Sequence, residues 1–116
     1  MDVKAFYDTI GGNYESAKLI MMNDAFIERM LGKFFLNNSY NEIISNYEKK
    51  DIKSLFAAVH SFKGVVGNLA LTPLYELASL ITEATRDKQE ANIDNEIVLL
   101  KEKYQLVVDT YNKLNK

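Results

Sequence analysis

Residues 57–71 read Ala57-Ala58-Val59-His60-Ser61-Phe62-Lys63-Gly64-Val65-Val66-Gly67-Asn68-Leu69-Ala70-Leu71, and the way this stretch folds constrains the rest of the chain. Together with Leu55, its apolar residues Val59, Phe62, Val66 and Leu69 recur at spacings of four, three, four and three. That is the stripe of an amphipathic helix, not the alternation of a strand. At about 100° per residue, His60 lies about 140° round from Leu55, Gly64 and Gly67 fall within about 40° of it, and Lys63 stands about 60° to one side. The only histidine of the chain is therefore predicted to point away from the core, beside a cation and two residues without side chains. A glycine in a helix interior costs about 1 kcal/mol relative to alanine, so the pair opposes folding by about 2 kcal/mol. Against a total stability of about 5–15 kcal/mol that is a noticeable share. Bare backbone permits close approach. It clears ground for a large partner to reach the imidazole, or lets neighbouring helices pack closely.

Working outward, the same helical period continues on both sides. Asp51 is the expected N-cap of the His60 helix, which should run from about Ile52 to Ala70. Thr72-Pro73 reads as a restart, threonine at N-cap and proline at N1, with Leu74, Leu77, Ala78, Ile81 and Ala84 as the buried face. The polar run Gln89–Asn92 is a loop. Asp94 should cap a last helix whose seam is Ile97, Leu100, Tyr104, Val107, Tyr111 and Leu114. Upstream, Asn23 caps a long helix carrying Ile27, Met30, Leu31, Phe34, Tyr40, Ile44 and Tyr47, with Asn37-Asn38-Ser39 as a kink or wet patch. It ends at Glu48-Lys49-Lys50, where the lysines suit a helix C-terminus. Val3, Phe6, Tyr7 and Ile10 form a short stripe broken by Gly11-Gly12, and one or two turns follow over 14–21. These short segments should cap one end of the larger bundle, with Met21, Met22 and the tyrosines as packing residues. No strand is expected. The fold class is all-α: an antiparallel up-and-down four-helix bundle with short extra N-terminal helices.

Composition narrows the function classes. The 116 residues suit one domain spanning 1–116, with 47% apolar and 26% charged residues as in a soluble globular protein. A net charge of −2 gives no nucleic-acid footprint. The absence of cysteine excludes disulfides and thiolate chemistry, and fits a reducing compartment. No signal peptide and no apolar run of about 18 residues is present, so a cytoplasmic location is expected. No Walker sequence or glycine-rich nucleotide loop occurs, which argues against direct use of ATP. A di-iron bundle needs paired Glu-x-x-His ligands, which one histidine cannot supply. Haem ligation by His60 with a methionine is disfavoured by a glycine-cleared, outward face. No metal site and no cofactor is expected.

His60-Ser61-Phe62-Lys63-Gly64, followed by Gly67-Asn68-Leu69, resembles the signature of histidine-containing phosphotransfer (HPt) domains. Asn13–Ala17, Asn23–Leu31 and Leu74–Ala78 are similar to the family's first helix, the start of its second, and the start of the helix after the motif. The likeness covers most of the chain. It departs at Ala70, where the family more often has glycine. The resemblance implies a phosphoryl carrier, not an enzyme, in a two-component phosphorelay. His60 would accept a phosphoryl group from a receiver-domain aspartate and pass it to another, the receiver bringing a divalent cation. Receiver domains of response regulators or hybrid kinases are the implied partners, and a monomer is expected. Lys63 would neutralise phosphoryl charge as a point cation. Gly64 and Gly67, together with Phe56 one turn before the histidine, are the expected partner-binding residues, Phe56 being equally suited to the core. Two other readings stay open: the histidine-bearing domain of a chemotaxis-type kinase, phosphorylated by that kinase's ATP-binding domain, and a scaffold that binds receivers without transfer.

Overall fold

In a computed structural model, residues 1–114 are described and form seven helices with no strand among them. They are α1 (Val3–Ile10), α2 (Tyr14–Met21), α3 (Asp24–Leu36), α4 (Ser39–Glu48), α5 (Ile52–Asn68), α6 (Thr72–Thr85) and α7 (Asp94–Leu114). The central stripe behaves as its spacing dictates: Leu55, Val59, Phe62 and Val66 are fully buried, and Leu69 nearly so. The short links at 49–51 and 69–71 make α4, α5 and α6 antiparallel neighbours, and α6 packs on α7. Aromatic contacts close the ring. Tyr40 stacks on Tyr104 at 3.7 Å, and the Tyr47 hydroxyl donates to Asp94. As one number rises the other falls, so α4 runs antiparallel to α7. Phe35 lies 4.7 Å from Tyr111 and 6.2 Å from Tyr104, which aligns α3 along the same helix. The fold is thus an all-α bundle whose first rod is in two pieces.

That break corrects the expectation of one long helix over 23–50. Asn37 is extended at φ −75° and ψ 142°, and its side-chain oxygen accepts from the Ser39 amide at 2.7 Å. A side chain that offers the backbone a local partner competes with the helix. Restarting at Ser39 also resets the helical phase, so Ile43 is fully buried where Ile44 was expected, and Ile44 is half-buried.

Two caps hold as read. The Asn23 side chain accepts from the Phe26 amide at 2.8 Å, and Asp51 accepts from the Ser54 amide at 3.1 Å. Two do not. Thr72 is already helical, Leu71 is the N-cap, and no side chain caps α6. Asp94 is the first residue of α7 and is engaged by Tyr47. On α6 the exposed Ala84 gives way to Thr82 and Thr85, which are buried because their hydroxyls donate to Ala78 and Ile81 carbonyls one turn back. Met22 is 76% exposed and not a packing residue, although Met21 is buried as expected.

The N-terminal pair caps the α5–α6 end of the bundle. Phe6 and Tyr7 are fully buried, and the Tyr7 hydroxyl donates to the Leu69 carbonyl at 2.7 Å. The Asn13 amide donates to the Ala70 carbonyl at 3.0 Å. The close approach requires Gly12, where a Cβ would sit 2.9 Å from the Ala70 oxygen.

Candidate functional site

His60 is exposed near the middle of α5, on the face opposite the buried stripe. Its ring stacks on Phe56 one turn earlier, at 5.6 Å between centroids and 19° between planes. Phe56 is half-buried, so it belongs neither wholly to the core nor wholly to the surface. On the other side of His60 the ground is open: a Cβ built on Gly64 meets no atom within 4 Å. Gly67 differs. A Cβ there would stand 3.1 Å from the Tyr75 ring, so this glycine seats an aromatic side chain of α6 and leaves no comparable clearing. Of the two uses foreseen for the glycines, Gly64 shows open approach and Gly67 shows close helix packing.

Lys63 extends over the face of Tyr75, its Nζ 5.8 Å from the ring centroid. This places the ammonium beside the histidine face without burying it, and the quadrupole of the ring favours the cation there. A groove of about 550 Å³ runs from His60 past Lys63, Gly64 and Gly67 to Asn68 and Tyr75. Its far wall includes Asn13, the N-cap residue of α2, and Ser16 within that helix. The four expected residues His60, Lys63, Gly64 and Gly67 therefore share one surface feature, and Phe56 joins it through its stack with His60.

A second cation lies on the Phe56 side. The Arg86 guanidinium carbon is 5.2 Å from the Phe56 ring centroid, and an Arg86 nitrogen is 3.1 Å from a Glu83 carboxylate oxygen. The hydrogen bond from Arg86, aided by its charge, holds the Glu83 carboxyl below its ordinary range, with a smaller contribution from Lys63. Sequence reading missed Tyr75, Glu83 and Arg86, because helical periodicity carries no information between helices. A usable signal was present: in an antiparallel hairpin, residues equidistant from the turn face one another. Gly67 and Tyr75 are equidistant from Leu71, and so are Phe56 and Arg86.

The Hpt domain family matches this chain over residues 25–110, a span that contains the whole His60 face of α5 and α6. The chain belongs to the Hpt domain family. Neither the curated proteins nor the solved structures yield a match. Hpt domains are phosphocarrier modules of two-component signalling. The described helices include none long and apolar enough to cross a membrane.

Proposed function

We propose that this Hpt domain, taking 1–116 as one unit, carries phosphoryl groups on His60 between receiver domains in the cytoplasm. The observation that carries the reading is the exposed imidazole beside the open backbone of Gly64. A receiver aspartyl phosphate has to bring its phosphorus into line with a ring nitrogen, and a side chain at 64 would stand in that approach. The lone pair of the neutral imidazole attacks phosphorus, the bond from phosphorus to the aspartyl oxygen breaks, and the aspartate leaves as a carboxylate. The other ring nitrogen holds its proton and releases it to solvent. The reverse sequence returns the group to a second receiver.

Phosphoryl transfer requires alignment and neutralisation of spread negative charge more than covalent work from the protein. In this reading Lys63 supplies that charge by swinging from the Tyr75 ring, 5.8 Å from its Nζ, to the phosphoryl oxygens. Phe56 restrains the imidazole by stacking and offers an apolar edge to the incoming partner.

The test is incubation with phosphorylated receiver domains of the same genome. Wild type should acquire acid-labile label and His60→Gln should acquire none while keeping its helicity. Label on the His60→Gln variant would refute the assignment. Lys63→Ala should slow transfer by about tenfold, as expected for loss of one charge-assisted contact, with little change in thermal stability. Label delivered only by a kinase ATP-binding domain, or tight receiver binding without label, would replace the relay with one of the two other readings.

A further inference from the structure

Two cations flank His60, and both rest on aromatic rings: Lys63 over Tyr75 at 5.8 Å and Arg86 over Phe56 at 5.2 Å. The Phe56 ring is the one stacked on the imidazole. Arg86 therefore sits one ring away from the reacting nitrogen, on a long side chain at the exposed C-terminal end of α6. Its present anion is Glu83, three residues back on the same helix, at 3.1 Å. Both side chains of this pair are largely in water, so the pair is weak and easily exchanged. A phosphoryl group on His60 offers up to two negative charges and three acceptor oxygens, a better match for a forked guanidinium than one exposed carboxylate.

We propose that Arg86 is a second phosphoryl-binding residue, held in reserve by Glu83 and the Phe56 ring, which exchanges the Glu83 carboxylate for the phosphoryl oxygens once His60 is phosphorylated. The proposal rests on His60 being the acceptor. Glu83 then acts as a place-holding anion that sets how strongly the phosphorylated state is favoured, because its carboxylate competes with the phosphoryl group for the same guanidinium. The exchange forms and breaks no covalent bond. It moves one hydrogen-bonded ion pair from α6 to the α5 face.

Arginine occurs only at Arg29 and Arg86, so the side-chain Nε–Hε region of a nitrogen-15 spectrum reads the exchange directly. Phosphoramidate serves as the donor: the imidazole attacks its phosphorus, the nitrogen–phosphorus bond of the reagent breaks, and ammonia leaves. In wild type the Arg86 signal should shift downfield as the phosphohistidine signal grows in the phosphorus-31 spectrum, while Arg29 stays fixed. Arg86→Gln identifies the signal by removing it. Against a purified receiver domain that phosphorylates wild type, Arg86→Gln should lower the share of phosphoryl held by His60 about threefold, and Glu83→Gln should raise it about threefold. Opposite signs are required by competition, and the moved Arg86 signal distinguishes an exchange of partners from the bare field of the two charges. An unmoved Arg86 signal in phosphorylated protein, or shifts of the same sign in the two variants, would overturn the proposal. If neither phosphoramidate nor a receiver yields phosphohistidine in wild type, the acceptor assignment itself fails, and Arg86's role with it.

Discussion

Single residues carry the sharpest consequences. Ala70 has φ 56°, in the left-handed region, just past the C-terminal end of α5. A Cβ in that region costs about 1 kcal/mol or more because it crowds the following carbonyl oxygen. Ala70→Gly should therefore stabilise the protein by about 1 kcal/mol in urea denaturation, since glycine adopts this conformation freely. No gain would mean that burial of the methyl group offsets the strain. The departure from the family's glycine was visible in the sequence, but only the backbone angle shows what it does. The two helical glycines separate in the same way. Gly64→Ala enters open space and should raise stability by about 1 kcal/mol through helix propensity. The gain at Gly67→Ala should be smaller, because its methyl group would press on the Tyr75 ring at 3.1 Å. A bulkier Gly64→Gln should keep the fold and weaken receiver docking, read by titration calorimetry against a receiver domain. The sequence placed both glycines beside His60 but could not assign their separate uses, because Tyr75 arrives from another helix.

At the scale of the element, caps decide where the helices begin, and one cap makes the fold sensitive to acid. The Asp51 carboxylate accepts from the Ser54 amide, and that bond holds its pKa below the ordinary value. The folded pKa is lower than the unfolded one, so the ionised cap stabilises the protein above the unfolded value of about 3.9. That contribution is lost as pH falls through the depressed folded value. Asp51→Asn keeps an acceptor and does not titrate. The melting-temperature gap between wild type and Asp51→Asn, followed by circular dichroism from pH 7 to pH 3, should narrow as the carboxylate protonates. A gap independent of pH would assign the cap's strength to geometry and not to charge. Asn23 and Asp51 were legible as caps because capping is local: a side chain and an amide three residues on. Thr72 and Asp94 were not, since Asp94 is engaged by Tyr47 from α4 and Leu71 takes the N-cap place at α6. The break at Asn37 was legible as a weak point, but not the reset of phase that buries Ile43.

Across the whole molecule, the bundle itself was readable because each long stripe demands a partner, and short links leave few ways to supply one. The attachment of the N-terminal pair was readable only as a cap on one end. Its decisive contact joins Tyr7 to Leu69, and no periodic pattern connects residues so far apart. That contact lies largely outside the span shared with the family, since α1 and α2 precede residue 25. It nevertheless pins the C-terminal end of the helix that bears His60. The Tyr7 phenol is buried, and burial pushes its pKa far above the ordinary range, so it remains a neutral donor throughout the physiological range. Tyr7→Phe keeps the ring in the core but removes the donor to the Leu69 carbonyl. A buried acceptor deprived of its partner costs about 1–3 kcal/mol. The variant should lose that amount in urea denaturation. Hydrogen exchange should quicken at the amides of 69–71, where the turn between α5 and α6 is tied to α1, before it quickens at 55–62 in the middle of α5. Because Phe56 and His60 lie in that middle stretch, phosphoryl acceptance should survive in Tyr7→Phe at temperatures well below its melting point. Uniform loss of protection along α5 would instead show that the N-terminal pair supports the whole rod and, with it, the presentation of the imidazole.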